Sequence, residues 1–223
     1  HVLLPFALED AELFSELMEQ QYGKKPHLRI PQRGDNVRLV ELANKNAKEE
    51  AERVTDKEEK HAGTLTLLGK MLGIEAPERI ESYDISNISG VDSVGVCVVY
   101  ENGVPKKSAY RLFNIQTIEG ADDYGSIRET LYRRLENGVE NIEGFELPDL
   151  ILIDGGKGHV KAAKEIIDFY KLNIPVFGMV KDDNHRTRGV TTEKDEIHIK
   201  RTDAIFKFLT QIQDETHRFA ITS

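Results

Sequence analysis

The feature that most constrains this chain is an apolar run without a polar side. Leu150-Ile151-Leu152-Ile153 follows Asp149 and is closed by Asp154-Gly155-Gly156. A strand with one wet face alternates apolar and polar residues, so four consecutive large apolar side chains need cover on both faces of their sheet. Parallel strands between two helix layers provide that cover. The flanking sequence agrees: a helix is predicted from His159 to Tyr170 and a second buried strand from Ile174 to Val180, which makes a right-handed β-α-β crossover.

Upstream, β-branched residues dominate three further segments, Arg79 to Ile88, Ser93 to Tyr100 and Ser108 to Ile115. Glu101-Asn102-Gly103 joins the second to the third and carries a hairpin signal. These segments predict an antiparallel meander, and the helix expected from Asp122 to Leu135 has Ile127, Leu131 and Leu135 on one face. A polar hairpin (Val190 to Ile199) and a last helix (about Asp203 to Ala220) close the chain. The expected fold is therefore α/β, a mixed sheet of three antiparallel strands then two parallel ones, flanked by helices.

The first third reads differently. Apolar residues at helical spacing from Leu8 to Gln20 predict one helix, stopped at Gly23. After an extended piece (His27 to Gly34), the stretch from Val37 to about Leu72 is rich in Ala, Glu, Lys and Leu and has no proline, which predicts one or two long helices. Their apolar stripe, Val37 to Ala51, is thin, as in a helix laid along a larger body. Residues 1–75 are expected to be a helical connector or appendage, and 76–223 the α/β domain.

Charge and composition limit the functions open to such a chain. No segment approaches the roughly 20 apolar residues that cross a bilayer, and the start at His1 lacks a charged leader. The single Cys97 suits a reducing cytoplasm. A net charge of −9 argues against holding nucleic acid by bulk positive field alone. Gly155-Gly156-Lys157-Gly158-His159 has glycines but not the spacing of a nucleotide-binding loop.

Acidic residues inside apolar strands are the informative ones, because buried charge is costly unless compensated. Asp84 interrupts the first strand and Asp154 ends the apolar run. Each alone could cap a turn. If the two strands are neighbours, however, the carboxylates meet at the strand ends, where open sheets bind ligands, and a divalent cation would relieve their repulsion. His217 lies at the edge of the apolar arc of the last helix, able to ligate a metal or move a proton. Asp122 is expected to cap its helix, whereas Asp123 could add a carboxylate to the site. Lys157, Arg186 and Arg188 are candidates for phosphate contact, and His159 and His185 are weaker ones.

The strings Tyr83-Asp84-Ile85-Ser86-Asn87, Gly120-Ala121-Asp122-Asp123-Tyr124, Asp149 to Gly158 and Thr216-His217-Arg218-Phe219-Ala220, in this order, resemble the C-terminal half of the UvrC family, a subunit of the bacterial UvrABC excision nuclease. Pro31-Gln32-Arg33-Gly34 and Leu39 to Ala47 look like the connector before that domain. The resemblance implies a ribonuclease H-like endonuclease that makes the 5′ incision beside a lesion with Mg²⁺ or Mn²⁺. It places the aspartate-aspartate-histidine set on Asp84, Asp154 and His217, and adds Asp123. It also implies damaged double-stranded DNA and UvrB as partners, and a monomeric fragment without the family's other modules. A non-catalytic scaffold of this fold, or a phosphotransferase of the actin and sugar-kinase kind, is the alternative.

Overall fold

The computed structural model describes residues 1–88, 92–118, 122–181, 187–200 and 203–222, which form two compact units, His1–Glu59 and Lys60–Ser223. In the first, the two-residue strands β1 (Val2–Leu3) and β2 (Leu28–Arg29) pair in parallel. Helix α1 (Ala11–Tyr22) ends on Gly23, whose left-handed backbone (φ +70°) lets its amide reach the Glu19 carbonyl. The long proline-free stretch forms one helix, α2 (Asp35–Leu72), which runs from the first unit into the second. The stripe from Val37 to Ala51 lies within the first unit. Leu39 and Leu42 are more than half exposed, and the helix's buried residues are Leu65, Leu68, Gly69 and Leu72.

The second unit is built on β3 (Arg79–Ile88), β4 (Asp92–Glu101), β5 (Val104–Pro105), β6 (Arg111–Asn114), β7 (Leu150–Asp154), β8 (Val176–Lys181), β9 (Thr187–Thr191) and β10 (Glu196–His198). These form one sheet in the order β10-β9-β8-β7-β3-β4-β5, with β6 also on β4. Strand β7 is parallel to both β3 and β8, and β4 is antiparallel to β3. The expected hairpin turn forms at Asn102 and Gly103, both at positive φ, as a tight two-residue turn demands. It leads first into the short β5. The third meander strand therefore starts at Arg111 rather than Ser108, because a 3-10 turn at Lys107–Ala109 intervenes.

Helices cover both faces of the sheet. Leu150 and Leu152 join Ile80, Phe177 and Met179 beneath Phe208, Leu209 and Ile212 of α5 (Ala204–Thr222), while Ile151 and Ile153 join Ile127, Leu131 and Leu135 of α3 (Asp123–Val139) and Val160 of α4 (Lys157–Phe169). The run without a polar side is thus sealed above and below, each side chain contributing about 1.5–3 kcal/mol by burial.

Candidate active site

The parallel pairing of β3 and β7 runs from Ile80 opposite Leu150 to Tyr83 opposite Ile153. Next in line on the two strands are Asp84 and Asp154, at the carboxyl end of β7 where an open sheet presents its ligand rim. Side-chain exposure is 14% for Asp84 and 9% for Asp154. Burial, and then the neighbouring Asp154 charge, push the Asp84 carboxyl above the usual carboxylate range, and His217 and Lys181 only partly offset them.

The end of β7 turns sharply there, and Gly178 on β8 makes room for it. A Cβ at Gly178 would stand 2.2 Å from the Gly155 carbonyl oxygen. Helix α5 lies over the rim and presents Gln213, Thr216 and His217, whose i, i+3, i+4 spacing puts them on one face. The Thr216 hydroxyl lies 2.8 Å from that of Ser82, Gln213 Nε2 donates to Asp154 Oδ1 at 2.8 Å, and His217 Nδ1 stands 3.6 Å from Asp84 Oδ2. Ser82 and Asp84 point to the same side of β3, so one helix face reads two neighbouring strands. His217 remains 59% exposed, open to an incoming group. Lys181, at the end of β8, donates to Asp154 Oδ2 at 2.7 Å.

Asp84, Asp154 and His217 are thus brought together. Asp123 is not joined to them among the described residues: it is exposed on the first turn of α3, where Asp122 caps the helix by accepting from the Gly125 amide. Lys157 opens α4 and donates to the Lys194 carbonyl, and Arg188 makes a two-pronged pair with Glu196 at 2.8 and 3.0 Å. Tyr124 stands edge-on to His159. Arg186 and His185 lie outside the described residues. Sequence reasoning missed Lys181 and Gln213. Both carried a signal: Lys181 ends the apolar run of β8, and Gln213 lies one helical turn before His217.

The family model described as the UvrC RNase H endonuclease domain matches residues 69–221, and one described as the UvrC ribonuclease H-like domain matches 1–54. The chain belongs to the UvrC family. It is 45% identical to UvrABC system protein C of Clostridium novyi over 231 residues, spanning 96% of this chain and 37% of that protein. With the Clostridium perfringens and Finegoldia magna proteins of the same name the identities are 40% and 42%, over 99% of this chain and 38% of each relative. The chain therefore spans a little over a third of these UvrC relatives. Among solved structures it is similar to human ENDOV (TM-score 0.38, 11% identity, 65% of this chain and 83% of that one). A Mos1 transposase catalytic domain gives TM-score 0.31 and 16% identity over 53% and 58%.

Proposed function

We propose that this chain is the divalent-metal-dependent endodeoxyribonuclease domain that makes the 5′ incision beside a lesion in bacterial nucleotide excision repair. The observation that carries the reading is the convergence of Asp84, Asp154 and His217 at one sheet rim, within a chain of the UvrC endonuclease-domain family. Residues 76–223 hold the chemistry and 1–75 serve as the connector. Damaged double-stranded DNA is the substrate, UvrB the partner that brings the domain to it, and the bacterial cytoplasm the compartment. No helix among the described residues is long and apolar enough to cross a membrane.

The donor set fits Mg²⁺ or Mn²⁺. Two adjoining carboxylates offer hard oxygen ligands, and the Asp84 carboxyl, pushed up first by burial and then by the Asp154 charge, would be drawn back to its charged form by a divalent ion. Asp84 and Asp154 would hold the ion, with His217 at its side. Bound there, it would supply Lewis-acid polarisation of the scissile phosphate and a water of lowered pKa, in a hydrolysis that leaves a 3′-hydroxyl and a 5′-phosphate. The exposed imidazole of His217, steadied by Asp84, would orient an attacking water or hand a proton to the leaving oxygen. Lys157, Arg186 and Arg188 are assigned to flanking phosphates, which requires Lys157 and Arg188 to leave the Lys194 carbonyl and Glu196.

The test introduces Asp84→Asn or Asp154→Asn into a full-length UvrC protein and maps both nicks on lesion-bearing DNA. The 5′ cut is expected to vanish while the 3′ cut persists. Loss of both cuts, or survival of both, overturns the assignment, and survival of both favours a scaffold.

A further inference from the structure

Neither oxygen of the Asp154 carboxylate is free to turn. Gln213 holds Oδ1 and Lys181 holds Oδ2. Gln213 is only 3% exposed, so its amide has no water with which to exchange partners. Its own orientation is set from the other side, where the hydroxyl of buried Thr187 on β9 donates to Gln213 Oε1 at 2.6 Å. An amide turned the other way would set Oε1 against Asp154 Oδ1, two acceptors facing in a dry site, and this directional constraint fixes its sense.

We infer that Gln213, oriented by Thr187, is a positioning residue of the active site that sets the plane of the Asp154 carboxylate for a divalent ion. The inference rests on the metal-dependent reading proposed above. Gln213 and His217 lie one turn apart on α5, so a single helix placement fixes the Asp154 carboxylate and the imidazole beside Asp84 together. Partners that orient a ligating carboxylate typically govern metal affinity as well as activity.

The experiment titrates the 223-residue chain with MnCl₂ by calorimetry and follows thermal unfolding of each variant without metal. Gln213→Met keeps the bulk and removes the bond, and is expected to weaken Mn²⁺ binding roughly 10–100-fold. Thr187→Val, which leaves Gln213 in place but removes the hydroxyl that anchors its Oε1, should move affinity in the same direction. Thr187→Ser, which keeps the hydroxyl, should stay near the parent. The Thr187 pair carries the test should Gln213→Met fail to fold. Variants that lose thermal stability but bind Mn²⁺ like the parent make Gln213 a packing residue and overturn the inference alone. A parent chain that binds no Mn²⁺, or an Asp154→Asn variant that binds it equally well, overturns the metal reading and this inference with it.

Discussion

Four donors converge on the carboxylate of Glu129: the amides of Gln116 and Thr117, the Thr117 hydroxyl at 2.6 Å and the Arg133 guanidinium. Burial alone would raise this carboxyl, but the bonds from Thr117, Gln116 and Arg133 outweigh it and hold the group below its usual range. A carboxyl whose folded pKa is depressed adds stability above its unfolded pKa, near 4.3, and loses it as pH falls through the folded value. Glu129→Gln is therefore expected to cost about 1–2 kcal/mol at pH 7, with the deficit closing as pH drops below about 4. Urea unfolding at several pH values checks this, and a deficit constant from pH 7 to pH 3 would show that charge is not the cause. Glu129 was not legible as an anchor beyond its i,i+4 pair with Arg133, because Gln116 and Thr117 lie 13 and 12 residues away in a loop whose path only tertiary packing sets.

At the scale of elements, the strands and helices around the site were legible because their patterns are strong. The unbroken run of β7 required two covered faces, and the Asn102-Gly103 pair required a tight turn. Asp84 and Asp154 could be paired in advance because strand ends share a rim, whereas Gln213 in α5 looked like any polar residue until the helix was laid across two strands. Glycine at 178 is a similar case: nothing in the run Val176 to Lys181 says that the backbone of Gly155 passes against it. Gly178→Ala would set a methyl against that carbonyl, and the turn after Asp154 would have to move. A loss of about 1–3 kcal/mol in urea unfolding is expected from such overpacking, together with weaker Mn²⁺ binding as Asp154 shifts. Full stability with unchanged binding would mean that the turn yields freely.

Across the whole second unit, the sheet carries buried charge beyond the two carboxylates at its rim. Glu81 is fully buried on β3, bonded at 2.5 Å both to Arg134 of α3 and to the Tyr83 hydroxyl. Arg134 in turn donates to the carbonyls of Phe145 and Glu146, and Arg79 reaches Glu101 at the end of β4 and lies 3.5 Å from Glu146. One ionic network thus ties two strands, a helix and the loop before β7, on the face opposite α5. Sequence patterning could not reveal it, since a buried Glu and a buried Arg each read as surface residues until paired. Desolvation nearly cancels attraction in such a pair, so its removal as a unit costs little, while removing Arg134 leaves the buried Glu81 charge facing only Arg79, whose Nε stands 3.5 Å away. Arg134→Met should therefore lose about 3–5 kcal/mol, a large share of a typical domain's total, and the double variant Glu81→Gln/Arg134→Met should recover part of that loss. A mutant cycle in urea decides it. If the double variant is less stable than Arg134→Met alone, the bonds of Glu81 to Tyr83 and of the network to the Phe145–Glu146 loop, rather than the stranded charge, set the energetics of this face.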